Sequence, residues 1–228
     1  KLRELIALKD RLVEARATPP AHLTADLKTY ALSSLGSQFD VILIDPPWEE
    51  YSQRLEVAGD SAAASALEVW TPEEILQLRV DEIGASPSFV FLWCGSGATL
   101  EWGRECLLKW GYRRCEDICW IKSNCERTHN TQTLPDSVVA VTTEHCLVGI
   151  KGTVRRNFDG RIIHANIDTD VILSEELPLG VTDKPAELYS IIERFCNGRR
   201  RLELFGSDRS LRRGWLTVGK GVSESNYD

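Results

Sequence analysis

The sequence predicts an α/β protein in which a mostly parallel sheet is flanked by helices on both faces. Three observations lead there. Apolar runs such as Val41-Ile42-Leu43-Ile44 and Phe89-Val90-Phe91-Leu92-Trp93 are continuous rather than alternating, as strands buried on both sides are. Stretches with apolar residues three and four positions apart fall between those runs, which is helical spacing. Glycine, proline and aspartate punctuate the two patterns, so strands and helices take turns along the chain. With 228 residues, 43% of them apolar, there is material for one sizeable core and little reason to divide it.

The elements follow in order. Residues 1–16 place Leu2, Leu5, Ile6, Leu8, Leu12 and Val13 at helical spacing, and Thr18-Pro19-Pro20 ends the pattern. This amphipathic helix is expected to bury its stripe, as an N-terminal helical extension (residues 1–25) of a domain spanning 26–228. Residues 39–44 form the first clear strand. The alanine- and serine-rich stretch 51–69 lacks a strong period and reads as a mobile loop. Thr71-Pro72-Glu73-Glu74 starts a helix, with Thr71 as cap, Pro72 in the first turn and Glu74 closing a capping box. Ser88 to Trp93 is a buried strand, turned by Gly95-Ser96-Gly97 into a helix over 98–110.

Residues 116–122 and 145–151 are further strands, and the polar segment 123–142 between them is a candidate functional loop. Asn157-Phe158-Asp159-Gly160 reads as a turn and Val171 to Leu173 as a strand. Asp183 is placed as the cap of a helix from about Lys184 to Cys196, stopping near Gly198. Arg201 to Phe205 and Trp215 to Val218 close the sheet.

Composition narrows the function. A net charge of −7 excludes a chain that binds nucleic acid through its overall charge, so any such role falls to local patches. Arginines do cluster, at Arg113-Arg114, Arg155-Arg156, Arg199-Arg200-Arg201 and Arg212-Arg213. Seven scattered cysteines, an odd number without zinc-finger spacing, predict reduced thiols in a cytosolic or nuclear protein and no metal site. The sequence has neither a secretion signal nor an apolar stretch of about 18 residues, so no membrane role is expected.

Chemistry concentrates at Asp45-Pro46-Pro47-Trp48, directly after the strand 39–44. The exocyclic amine of adenine is a poor nucleophile because its lone pair is delocalised, so methylating it requires orientation. The Asp45 carboxylate can accept one amine hydrogen and the Pro46 carbonyl the other, while two prolines fix the loop and Trp48 offers a stacking face. An ordinary turn would also use Asp-Pro, but ligands of open α/β sheets bind at carboxyl ends of strands.

Phe91-Leu92-Trp93, Glu144-His145-Cys146-Leu147, Lys184-Pro185, Glu203-Leu204-Phe205-Gly206 and the Asp-Pro-Pro-Trp motif together resemble the messenger-RNA adenine-N6 methyltransferases. The likeness runs nearly the whole length of the chain. It implies a Rossmann-like class I methyltransferase fold with the catalytic motif ahead of the cofactor segments, S-adenosylmethionine as cofactor of the complex, and a nuclear location. Within the family, stretches 109–120, 149–156, 163–168 and 198–201 are similar to the non-catalytic branch, whose members brace a catalytic paralogue in a heterodimer and help hold single-stranded RNA.

Two departures pull in opposite directions. Animal members of that branch resemble one another in carrying Glu-Pro-Pro-Leu, whereas this chain keeps the catalytic-type Asp45 and Trp48, as plant relatives do. Where catalytic subunits grip the cofactor's ribose and carboxylate with Arg-Pro-His-Asn, this chain has Ser207-Asp208-Arg209-Ser210, and Lys220-Gly221 replaces their Asn-Gln. Each lost hydrogen bond costs about 0.5–1.5 kcal/mol, so losing several weakens affinity by orders of magnitude. The resemblance therefore implies an RNA-binding, non-catalytic subunit that does not itself bind S-adenosylmethionine. Its alternative is an active adenine-N6 methyltransferase on RNA, or less readily DNA.

The resemblance also assigns roles by position. Lys184 matches the cofactor lysine, though a surface lysine beside a helix start would look the same. Arg113, Arg114, Arg155 and Arg156 match a positive groove for RNA phosphates, against the ordinary alternative of a solvated face. Arg199 to Arg201 fit internal ion pairing or a partner contact equally well. His145 and His164 read as core histidines, and Gly95-Ser96-Gly97 as a tight turn.

Overall fold

In the computed structural model, residues 1–57, 59–123, 138–154, 167–177 and 181–227 are described. Helix α1 (Leu2–Arg16) leads into β1 (Ala21–Thr24), β2 (Phe39–Ile44), the helices α2 (Glu49–Val57), α3 (Ser61–Ala66), α4 (Pro72–Leu76) and α5 (Val80–Ile83), and then β3 (Gly84–Gly95). Helix α6 (Thr99–Lys109), β4 (Arg113–Ser123), β5 (Thr143–Lys151), β6 (Val171–Glu175), α7 (Ala186–Glu193), β7 (Arg201–Leu204) and β8 (Trp215–Gly219) follow.

The eight strands form one sheet in the order β1-β8-β7-β2-β3-β5-β4-β6, and every pairing is parallel except the two made by β5. Every residue of β2 is buried, which is why Val41 to Ile44 are apolar without alternation. Helix α6 lies unusually close to the sheet. A Cβ built on Gly103 would fall 2.3 Å from Cys94 Sγ, so only glycine fits there. The order reverses at β2, whose neighbours β3 and β7 belong to opposite arms of the sheet, and this opens a crevice at the strands' carboxyl ends.

Four expectations change. The stretch read as a mobile loop forms α2 and α3: Tyr51 and Leu55 are buried in α2, and the Asp60 carboxylate accepts the Ala63 N–H at 3.0 Å to cap α3. The leucine stripe of α1 is not the buried one, since Leu2, Leu5, Leu8 and Leu12 are 42–54% exposed while Lys9 and Val13 face the body. Residues 21–24, assigned to the extension, pair with β8 as an edge strand of the main sheet. Asp183 caps nothing. Helix α7 starts only after Pro185, and Asp183 instead pairs with Arg209 at 3.2 Å. The capping box at Thr71 and Glu74 is present.

The turn expected at 157–160 and most of the segment 123–142 lie outside the described residues. The six described cysteines are free thiols, and burial raises the pKa of Cys94, Cys106 and Cys146. No described helix is long and apolar enough to cross a membrane.

Candidate functional site

A cleft of about 260 Å³ opens at the carboxyl ends of four parallel strands. Its walls are Ala25–Leu27 after β1, Asp45–Pro47 after β2, Phe205–Ser207 after β7 and Gly219–Gly221 after β8. The predicted motif therefore borders the crevice where the strand order turns.

Asp45 leaves β2 pointing into this crevice. Its Oδ2 lies 2.9 Å from Lys184 Nζ, while its Oδ1 is buried and has no hydrogen-bond partner. Burial pushes the carboxyl pKa up, and the adjacent Lys184 opposes that rise. Lys184 is itself only 4% exposed, donates to the Thr182 carbonyl at 2.6 Å, and sits 4.9 Å above the Tyr51 ring and 5.2 Å above that of Trp93. The structure thus brings together two residues that the sequence placed 139 positions apart (184 − 45). Lys184 serves Asp45, so it is not left free as a surface lysine.

Trp48 takes a different place from the stacking platform expected of it. It is 1% exposed, its indole N–H donates to the Trp93 carbonyl at 2.7 Å, and its backbone forms a bridge with Trp70. The indole is too large and apolar to stay at the rim when β3 offers an acceptor beneath it. Both proline carbonyls are also engaged, Pro46 by the Trp48 N–H at 2.9 Å and Pro47 by the Trp70 N–H at 3.0 Å. The loop is held from within the core.

Beside Asp45 stands a second acid that sequence reasoning gave no role. Glu144 enters from the amino end of β5, because β5 runs against its neighbours. It accepts from Lys122 at 2.7 Å, Arg54 at 2.6 Å and the Trp93 indole N–H at 2.6 Å. Burial alone would raise its pKa, but Lys122, Lys184 and Arg54 outweigh that and hold it at about 2. Arg54 also pairs with Glu50, which accepts the Ser96 N–H at 3.2 Å, and Lys122 pairs with Glu176 at 3.0 Å. Tyr51, between these two acids, keeps a buried hydroxyl without a partner. The sequence pointed to Glu144 only through the Glu144-His145-Cys146-Leu147 run, just ahead of the strand expected over 145–151.

The polar rim across the cleft is paired with itself. Lys220 bridges Asp26 at 3.0 Å and Glu68 at 2.6 Å, and Arg209 meets Asp183. Asp208 accepts the Ser223 N–H at 3.0 Å, and the Ser210 hydroxyl bonds back to Ser207. Among the described residues, few side-chain polar atoms remain to grip a ribose diol or an amino-acid tail, so this donor set does not fit a sulfonium nucleoside well. Phe205, at the mouth, has φ +65°, a strained region for a bulky side chain, and its ring meets Trp70 edge-on at 4.9 Å.

The predicted basic residues lie elsewhere. Arg113 and Arg114 are exposed at the amino end of β4, whose 11 residues carry the chain roughly 33 Å before it reaches the cleft end. Arg155 and Arg156 lie outside the described residues. Among the described residues, no three His, Cys, Asp or Glu side chains are grouped to hold a metal ion. His145 is partly exposed, its Nδ1 3.2 Å from the Asp117 carboxylate.

A family model described as MT-A70 matches residues 39–221. Over its whole length the chain is 54% identical to the N(6)-adenosine-methyltransferase non-catalytic subunit METTL14 of Drosophila melanogaster and 52% identical to the protein of the same name from Xenopus laevis. The chain spans 57% and 49% of those two proteins, about half their length. It is also 52% identical, over 79% of its length, to the N6-adenosine-methyltransferase non-catalytic subunit MTB of Arabidopsis thaliana, covering 23% of that protein.

Proposed function

Because this chain belongs to the MT-A70 family, we propose that it is the methyltransferase-like region of a non-catalytic subunit of an RNA N6-adenosine methyltransferase, paired in the nucleus with a catalytic paralogue. One observation carries this reading. The polar side chains around the cleft are committed to one another, through Lys184 with Asp45, Lys220 with Asp26 and Glu68, and Arg209 with Asp183. A methyl donor would have to displace several such pairs to bind. In this reading the catalytic paralogue binds S-adenosylmethionine and this chain does not.

The chain's own residues then act as a brace. The Glu144 network and the buried loop 45–48 keep the crevice in one shape whatever occupies the partner. Arg113 and Arg114 are exposed and form no ion pair with a described carboxylate, which leaves their forked donors free for RNA phosphates. By the family resemblance, Arg155 and Arg156 are proposed as further RNA contacts in this reading.

One specific observation favours the enzyme alternative: the buried, unpartnered Oδ1 of Asp45 is an acceptor of the kind an adenine amine needs. Calorimetry of S-adenosylmethionine against the full-length subunit, alone and with its partner, separates the two. The non-catalytic reading expects one donor site per heterodimer and full activity from Asp45→Asn. Two sites, or activity abolished by Asp45→Asn with the catalytic paralogue intact, would overturn it.

A further inference from the structure

We propose that Arg199, Arg213 and Arg16 form a phosphate-binding patch for single-stranded RNA at the end of the sheet opposite the cleft, an inference that rests on the reading of this chain as an RNA-handling subunit. The two arginine runs divide sharply by environment. Arg201 is 1% exposed and donates to Cys196 Sγ at 3.1 Å and the Glu193 carbonyl at 2.9 Å, and Arg200 lies 3.4 Å from Asp40. Arg212 stacks 3.8 Å over the Tyr189 ring and lies 3.9 Å from Glu193. Those three hold the fold together. Arg199 and Arg213 are exposed instead, and each reaches a backbone carbonyl at the end of α1: Arg199 Nε donates to Arg16 O at 3.3 Å, Arg213 Nη2 to Ala17 O at 3.4 Å.

Those carbonyls belong to consecutive residues, whose Cα atoms are about 3.8 Å apart, so the two guanidiniums stand side by side. The exposed side chain of Arg16 leaves the same turn. None of the three forms an ion pair among the described residues. A helix carboxyl end favours one nearby cation, but it does not neutralise three. Such a grouping offers an external anion donors that no described carboxylate occupies.

A hollow of about 550 Å³ adjoins the patch, lined by Thr18, Ser37, Gln38, Arg200 and the half-buried Tyr227. Forked donors beside a hollow that has an aromatic wall and room for a base are what single-stranded nucleic acid uses, phosphate on one and base in the other. An acidic protein segment would use the charge and leave the hollow unexplained. β7, which follows Arg199, and β4, which starts at Arg113, lie four strands apart, so the two basic sites share one rim about 19 Å from each other.

The test uses the full-length subunit co-purified with its catalytic paralogue and a fluorescein-labelled RNA of mixed sequence, read by anisotropy between about 50 and about 200 mM salt. The double variant Arg199→Gln, Arg213→Gln keeps amide donors for the α1 carbonyls while removing charge. It is expected to bind about tenfold more weakly at the lower salt, with a log–log salt slope shallower by about 1.4, roughly 0.7 for each lost phosphate contact. The charge-retaining Arg199→Lys, Arg213→Lys variant is expected to keep the slope. If the double glutamine variant does not stay folded, Arg213→Gln alone is read, with a slope change of about 0.7.

Unchanged affinity and slope in a complex whose RNA binding is lost in Arg113→Gln, Arg114→Gln would overturn this inference and leave the broader RNA reading standing. A wild-type complex that binds no RNA would overturn both. Unchanged RNA binding with loss of co-elution with the paralogue would make the patch a protein contact, and that too overturns it.

Discussion

Asp45, partly buried, and Glu144, fully buried, line adjoining parts of one crevice, yet their surroundings move them in opposite directions. Asp45 has one cation on one oxygen, and burial wins, so its pKa rises. Glu144 has two direct cations and an indole N–H, and the charges win, so its pKa falls to about 2. The number of donors around an acid decides whether it is a fixed strut or a group left with unused capacity. Here the strut is Glu144, outside the Asp-Pro-Pro-Trp motif, and that motif's own acid is the under-supplied one.

The contrast orders the expected effects of substitution. Glu144→Ala leaves Lys122 and Arg54 short of their shared partner in a closed site, and should cost about 3–5 kcal/mol of unfolding free energy by denaturant titration. A loss under about 1 kcal/mol would mean that Glu50 and Glu176 suffice, and the strut description would fail.

A third buried acid supplies a pH signature of comparable size. Burial lifts the Glu203 pKa to about 7, with Tyr189 donating to it at 2.6 Å. The folded state then holds a proton that the unfolded chain releases above about 4.5, so stability should fall as pH rises from about 4.5 to about 7, by up to about 3 kcal/mol. Glu203→Gln should flatten that slope in thermal melts. Glu144 acts oppositely: its stabilising charge is fully present above about 4.5 and disappears as pH falls toward about 2.

Lys184→Met comes next. It removes the one cation on Asp45, and about 1–3 kcal/mol should be lost, with Asp45 titrating higher still by carboxyl-resolved NMR. Asp45→Asn should be the mildest. Its Oδ1 has no bond to lose, the amide can still meet a neighbour, and melting should shift by less than about 1 kcal/mol equivalent. A larger loss would show that Asp45 is a structural partner of Lys184 on a par with Glu144.

How much of this was readable from the residues depends on the range of the forces involved. Strands such as 39–44 and 88–93 announce themselves because burial on both faces demands unbroken apolar sequence. The Thr71 capping box is equally local, since all its atoms lie within four residues. Helices α2 and α3 were hidden because small alanines and serines give a weak apolar stripe, and α2 is fixed by the tertiary burial of Tyr51 and Leu55. The inward turn of α1 on Lys9 and Val13 in place of its leucines was likewise a tertiary outcome.

In the site, the Asp45 loop was legible and its partner lysine only half so. Glu144 acquires its importance from β5 being antiparallel, which no local pattern states. Trp48 was placed on the wrong side of its loop because an aromatic after two prolines looks the same from the sequence whether it faces a ligand or the Trp93 carbonyl.

That orientation of Trp48 bears on what the motif signifies. A tetrapeptide pinned by its own indole, by two occupied carbonyls and by a lysine has a part in folding that is separate from any part in turnover. Finding Asp-Pro-Pro-Trp in a sequence therefore does not by itself identify a working enzyme.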